Sequence, residues 1–293
     1  MQASEKPRIA VLLAAYRGMR WIEKQIDSIL CQEQVELHLY ISVDFSDDGT
    51  EEWVRQKASS TANITLLPTG ERFGSAGLNF YRLLRDVPLE NYHATALADQ
   101  DDIWFPDKLI RGWETIVNGY DAYSSNVIAF WPDGKKKTLD KAQPQTEYDH
   151  FFEAAGPGCT YIMSCRVASS LQRFLYLEKD KVNSVFLHDW FIYAFCRNEG
   201  YQWYIDSNAG LYYRQHESNQ IGANVNVAAY RKRVAMIRSG WYRDQIISLA
   251  RILKPEMISK FNSRFFLVFN ILKLRRRYRD RFYFLVMIVL GFY

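Results

Sequence analysis

The stretch from Arg8 to Val43 limits what this chain can fold into more than any other. Arg8 to Ala15 (RIAVLLAA) is an unbroken apolar run of strand length. Tyr16-Arg17-Gly18 reads as a loop, after which Trp21, Ile22, Gln25, Ile26, Ile29 and Leu30 recur at helical spacing. Leu37 to Val43 (LHLYISV) is a second strand, and Asp44-Phe45-Ser46-Asp47-Asp48-Gly49-Thr50 follows it. Strand, helix and strand in this order begin a parallel sheet with right-handed crossovers. Such sheets bind ligands beyond the carboxyl ends of their strands. Tyr16 and Asp44 fall at that edge.

A third apolar run, His93 to Ala98, ends abruptly in Asp99, Gln100, Asp101 and Asp102. Carboxylates gathered at a strand tip repel one another unless a cation sits among them. Asp99 and Asp101 are two apart, so an extended backbone points both to one side. Oxygen ligands of this kind suit Mg²⁺ or Mn²⁺, with phosphate and water completing the shell. An acidic loop capping the helix that starts near Pro106, with Asp102 or Asp107 at its N-terminus, explains the same residues, and the two readings are compatible.

The rest of the first 222 residues continues the pattern. Ile64 to Leu67 reads as a strand, and Gly70 to Phe80, with three glycines, opens a helix through Leu84. Backbone at such a helix start can approach a phosphate, although the spacing fits no P-loop or dinucleotide fingerprint. Tyr120 to Trp131 is strand-like, and Pro132 to Glu147 reads as a solvated polar loop. Gly156 to Met163 is a turn leading into a strand, with a helix following through Leu177. His188 and Asp189 precede an apolar helix over 190–196, where Asp189 alone reads as an N-cap. Tyr204 to Tyr213 is a further strand, ending in Arg214-Gln215-His216 and continuing to Gly222.

In the same order, these segments resemble the motifs of the family 2 glycosyltransferases, which have the GT-A fold. The Ala14 to Gly18 and Asp44 to Thr50 segments are similar to that family's nucleotide-site motifs, and Asp99-Gln100-Asp101 to its D-x-D signature. DQDDIWFPDKL, the glycine-rich stretch before Asn79-Phe80, and Tyr213-Arg214-Gln215-His216 resemble the rhamnosyltransferase-like branch. Two departures stand out: Val43 replaces a usual aspartate, and Arg17 a usual asparagine. The resemblance implies that Ala14, Tyr16 and Asp44 line the base and ribose, with Asp99 beside the donor. It implies that Asp101 and His216 ligate Mn²⁺ or Mg²⁺ and that Arg214 holds phosphate. Asp189 becomes the catalytic base, because a sugar hydroxyl needs a carboxylate to take its proton. His188 is an orienting neighbour. Trp104 is read as core, with an acceptor-sugar platform as the alternative.

Beyond residue 222 the character changes. Residues 226–253 read as a helix, which Pro255 punctuates. From Lys260 to Arg281 eight basic residues face one acidic residue, so this segment carries +7 while the remainder of the chain carries −3. Phe282 to Tyr293 is too short to span a bilayer as a helix. Basic residues beside aromatic and aliphatic ones suit the interface of an anionic leaflet, or docking on the domain or a partner chain. No recognisable nucleic-acid motif accompanies the arginines, so a nucleic-acid partner is not expected. Four scattered cysteines are read as buried free thiols in a reducing compartment, and no signal peptide is visible.

The expectation is thus a Rossmann-like, mostly parallel α/β sheet of GT-A type over 1–222, with a C-terminal helical, membrane-associating region over 223–293. The expected activity is inverting transfer of a sugar, L-rhamnose from dTDP-L-rhamnose, to a polyprenyl-diphosphate-linked glycan in O-antigen or surface polysaccharide synthesis. Its expected place is peripheral, on the cytoplasmic face of the plasma membrane. A UDP- or GDP-sugar donor is the near alternative. A non-catalytic glycan- or nucleotide-binding scaffold is the distant one.

Overall fold

The computed structural model describes residues 5–216 and 239–293. The predicted opening is present: β1 (Arg8–Ala15), α1 (Ile22–Leu30), β2 (Glu36–Val43), α2 (Thr50–Ser60), β3 (Ile64–Leu66), α3 (Ala76–Asp86) and β4 (Ala94–Ala98). Then come β5 (Ile103–Trp104), α4 (Lys108–Val117), β6 (Ala122–Phe130), β7 (Lys136–Leu139) and α5 (Asp149–Phe152). The series ends with β8 (Ile162–Ser164), α6 (Cys165–Leu177), α7 (Lys179–Val182), α8 (His188–Asn198) and β9 (Trp203–Arg214).

One sheet runs in the order β3-β2-β1-β4-β8-β6-β9-β5, with β7 paired to β6. Its first half, β3 to β4, is parallel. The second half is mixed, because β8 runs antiparallel to both β4 and β6 and β5 antiparallel to β9, whereas β6 and β9 are parallel. The parallel half has the continuous apolar sequences that burial on both faces demands. Along β1, Ala10, Leu12 and Ala14 enter one core, and Ile9, Val11, Leu13 and Ala15 the other. That alternation is the two-residue period of a strand. In α1, Ile22, Gln25, Ile26 and Ile29 form the buried stripe. Trp104 is buried, and the ammonium of Lys108 lies 3.6 Å from its ring centre, so this indole belongs to the interior and is no sugar platform.

Two expectations need amending. The polar stretch 132–147 is not all loop: Lys136–Leu139 pairs with Val127–Phe130 as an edge strand. Its sequence hides this, since every residue from Pro132 to Thr138 is exposed and no apolar alternation marks the strand. The second amendment concerns the C-terminal residues. Ile246, Leu249, Phe261, Leu267, Leu274, Phe284 and Ile288 belong to the same buried cluster as Phe80, Phe152 and Trp190. The helices Trp241–Leu253, Arg264–Phe269 and Tyr278–Val289 are therefore docked on the α/β unit, the second of the readings offered above. None of the helices among the described residues is long and apolar enough to cross a membrane. The expected boundary at 222, and residues 226–238 of the helix expected over 226–253, lie outside the described residues; Trp241–Leu253 is helical as expected.

An ionic pin holds this segment. The Arg276 guanidinium, 3% exposed as a residue, donates to Asp149 at 2.9 Å and to the Ala154 carbonyl at 2.7 Å. Asp149 is fully buried and also accepts from Tyr193 at 2.7 Å and Arg197 at 3.2 Å. Arg275 reaches the Tyr242 hydroxyl at 2.8 Å. Two of the eight basic residues expected at a membrane surface, Arg275 and Arg276, are thus held against the protein interior.

Candidate active site

Strand register puts the predicted edge together. Ala15 pairs with Val43 and Leu13 with Ala98, so Tyr16, Asp44 and Asp99 leave the sheet side by side. They line one cleft of about 1180 Å³ with Ala14, Asp101, Asp189 and His216. A pocket for one small ligand measures roughly 300–1,000 Å³, so the space suits more than one substrate.

On the β1–β2 side, each residue has a local task. The Asp44 carboxylate accepts from the backbone N–H groups of Phe45 (2.8 Å), Phe73 (2.9 Å) and Gly74 (2.8 Å), and so fixes the glycine-rich loop against the cleft wall. Asp48 accepts from the Thr50 N–H at 3.1 Å and Met19 N–H at 3.1 Å, joining the turn before α2 to the loop after β1. The Asn79 amide donates to the carbonyls of Ser42 (3.0 Å) and Ala15 (3.3 Å), which gives it a structural role at the same edge. Gly77 is required by packing: a Cβ there would lie 2.8 Å from the Phe186 carbonyl oxygen. Gln100, which the sequence reading passed over, clamps the two loops. Its side chain accepts from the Tyr16 N–H and donates to the Tyr16 carbonyl, both at 2.8 Å.

At the centre, Asp101 Oδ2 and His216 Nε2 approach to 2.5 Å across a sequence separation of 115 residues. The His216 ring stacks on Trp21 at 4.2 Å. Arg214 is set beside them: its Nε donates to the Asp101 carbonyl at 2.7 Å and its N–H to Asp102 at 3.2 Å. Burial, then the negative charges of Asp101 and Asp189, push the Asp99 carboxyl up to about 7. Crowded carboxylates beside an imidazole fit a divalent cation, which would relieve that repulsion.

Asp99 and Asp102 also lie with Cys159 in a tight group, their ligand-type atoms within 4.8 Å. Burial first, then Asp102 and Asp99, hold the Cys159 thiol well above its usual range. Asp102 and Cys159 are fully buried, whereas Asp99 lines the cleft beside Asp101.

Asp189 stands in the first turn of α8, and its Oδ1 accepts from the Trp190 N–H at 2.7 Å. Burial raises its carboxyl to about 6, a rise that the Trp190 N–H and the Lys141 ammonium moderate. A carboxylate of that pKa is a competent general base near neutrality. His188, expected to orient Asp189, acts through packing. Its ring stacks on Phe80 at 4.1 Å, its Nε2 has no hydrogen-bond partner among the described residues, and burial pushes it down to about 3, keeping it neutral. It rests on Gly158, where a Cβ would meet His188 Nε2 at 2.5 Å and Asp189 Cβ at 3.3 Å.

The wall beyond Asp189 was not foreseen. Lys137, Thr138 and Lys141 come from the edge hairpin, and Arg277 and Arg279 from the C-terminal segment. The only sequence signal for either group was its charge, which equally describes a solvated surface.

Comparison with known proteins gives the family and the fold. Residues 7–127 match the model of the glycosyltransferase like family 2. The chain is 41% identical over 289 residues to the dTDP-rhamnosyl transferase RfbG of Shigella flexneri, covering 96% of this chain and all of that one. Among solved structures, the mannosyltransferase PcManGT from Pyrobaculum calidifontis, in complex with GDP-Man and Mn²⁺, superposes with a TM-score of 0.58 at 15% identity, covering 98% of this chain and 74% of that one. S. aureus TarS 1-349 in complex with UDP-GlcNAc does so with a TM-score of 0.53 at 14% identity, over 97% and 80%. At these identities the structural likeness establishes the GT-A fold.

Proposed function

The chain belongs to glycosyltransferase family 2 and is a glycosyltransferase, and from that premise we propose that it transfers L-rhamnose from dTDP-L-rhamnose, with inversion, to a glycan acceptor. One observation carries the chemistry: Asp189, and the Asp101–His216 pair, open into a single cleft from different segments of the chain. The donor assignment is supported by the identity to the dTDP-rhamnosyl transferase along nearly its whole length.

In this reading Tyr16 and the loop fixed by Asp44 hold the nucleoside with Asp99 beside the donor, and Asp101 and His216 would hold Mn²⁺ or Mg²⁺. A cation bound there offsets charge on the departing nucleoside diphosphate. Arg214, anchored through Asp101 and Asp102, presents a guanidinium fork suited to phosphate oxygens. Asp189 accepts the proton of the acceptor hydroxyl as that oxygen attacks the anomeric carbon from the face opposite the diphosphate. One base suffices for a single displacement, so no carboxylate nucleophile is needed.

The acceptor in this proposal is a glycan on a polyprenyl diphosphate in surface polysaccharide synthesis, met by a peripheral enzyme at the cytoplasmic face of the membrane. Large apolar side chains left exposed by the docked C-terminal helices, Phe265, Phe269 and Phe282 among them, support a membrane-facing surface.

The test is binding and turnover across dTDP-, UDP- and GDP-sugars with Mn²⁺ or Mg²⁺, for wild type, Asp101→Ala and Asp189→Ala. The expected result is turnover of dTDP-L-rhamnose, loss of cation-dependent donor binding in Asp101→Ala, and retained binding with transfer down about 10²–10⁴-fold in Asp189→Ala. Turnover of a UDP- or GDP-sugar instead would reassign the donor. If no nucleotide sugar bound, the scaffold reading would replace this one.

A further inference from the structure

Basic side chains line the cleft in two groups from different parts of the chain, with Asp44, Asp48, Asp99, Asp101, Asp140 and Asp189 among them. Arg17, Arg20 and Arg72 line the cleft on the β1–β2 side, where the donor belongs, and Arg214 sits behind Asp101. Lys137, Lys141, Arg277 and Arg279 line the opposite wall, on the β6–β7 half of the sheet beyond Asp189. The two arginines are delivered there by construction. Arg275 and Arg276, the preceding residues, are fastened to Tyr242 and Asp149, so the backbone emerges from the interior at the cleft rim. Arg277 is held in place by its Nε donating to Gln143 at 2.8 Å. Among the described residues its carboxylate partner is Asp140, at a long 3.9 Å, and that carboxylate is also engaged by Asn126, Ala142 and Gln143. Arg279 is mostly exposed, with Asp280 at 3.3 Å.

We propose that Arg277 and Arg279, with Lys137, form a second anion site that holds a phosphate or diphosphate ester on the acceptor. The C-terminal segment is then a substrate-binding element of the active site as well as a docked appendage. This rests on the glycosyltransferase reading, which makes the wall beyond the base the acceptor side. A phosphate ester held there extends its alcohol portion outward past the helix Tyr278–Val289, whose Phe282 and Val289 are exposed.

The test uses full-length enzyme saturated with dTDP and Mn²⁺, so that the donor phosphate site is filled, titrated calorimetrically with geranyl diphosphate, geraniol or inorganic diphosphate. Geranyl diphosphate should bind and geraniol should not. The Arg277→Gln/Arg279→Gln variant should weaken geranyl diphosphate at least tenfold while its dTDP affinity stays within twofold, which also verifies that it is folded. Lys135→Gln, an exposed neighbour outside the cleft, should change neither. The proposal is overturned if geranyl diphosphate ignores the double substitution, if Lys135→Gln weakens it equally, or if inorganic diphosphate binds as tightly as the ester. Failure of wild type to bind dTDP would overturn the nucleotide-sugar reading itself, an outcome separate from the others.

Discussion

Replacing Arg276 by Met tests how the C-terminal segment is held. The guanidinium is almost wholly buried, with Asp149 at 2.9 Å and the Ala154 carbonyl at 2.7 Å as partners. Methionine keeps much of the volume but strands a fully buried carboxylate. Removing one partner of a buried pair costs about 3–5 kcal/mol, because the remaining charge loses its compensation. Tyr193 and Arg197 still donate to Asp149, which places the expected loss near the lower end, about 3 kcal/mol. The converse change, Asp149→Asn, leaves Arg197 without its carboxylate and Arg276 with Glu153 alone, at 3.6 Å, and is expected to cost a similar amount. The double variant should lose less than the two singles together, by at least about 1 kcal/mol, since Arg276 and Asp149 then no longer leave each other unpaired. Urea unfolding followed in parallel by tryptophan fluorescence and far-ultraviolet circular dichroism measures all three. A cost below about 1 kcal/mol for Arg276→Met, or simple additivity in the double variant, would refute the idea that this pin carries the segment.

Other expectations follow from the site and its surroundings. Because Asp189 must be ionised to act and burial raises it to about 6, kcat/KM should be level above that pH and fall about tenfold per unit below it. A profile flat down to pH 5 would remove Asp189 as the base. Gly158→Ala should push His188 and with it Asp189 out of line, lowering kcat about 10²-fold with unchanged dTDP affinity; an unaltered kcat would show that the ring and the carboxylate are not coupled. Substituting Phe265, Phe269 and Phe282 together by Ser should lower flotation with anionic vesicles at least tenfold and leave the urea midpoint unchanged, as all three are exposed. Equal flotation would exclude that surface as the membrane contact. Deleting 255–293 cannot replace this experiment, since it would also remove Phe261, Leu274 and Phe284 from the core.

Much of the nucleotide half was legible because its information is local. Two-sided burial writes continuous apolar runs such as RIAVLLAA, and parallel connectivity forces their ends to one edge, so Tyr16, Asp44 and Asp99 could be grouped without coordinates. The Asp101–His216 pairing and the role of Asp189 were reached only through resemblance, since 115 and 88 residues separate Asp101 from each in sequence. Charge and apolarity named the C-terminal residues without saying where each would go. In isolation, Arg275 to Arg279 is a basic run; packed, it becomes two pins and two cleft residues, because neighbours in an irregular segment face different surroundings. Likewise, Lys136 to Leu139 carries no strand pattern, since an edge strand exposed to solvent buries too little to need one. The sequence by itself determined the sheet, its ligand edge and the kinds of side chain found there. Tertiary structure alone decided which of those side chains meet, because their distances are set by packing between segments remote in the chain.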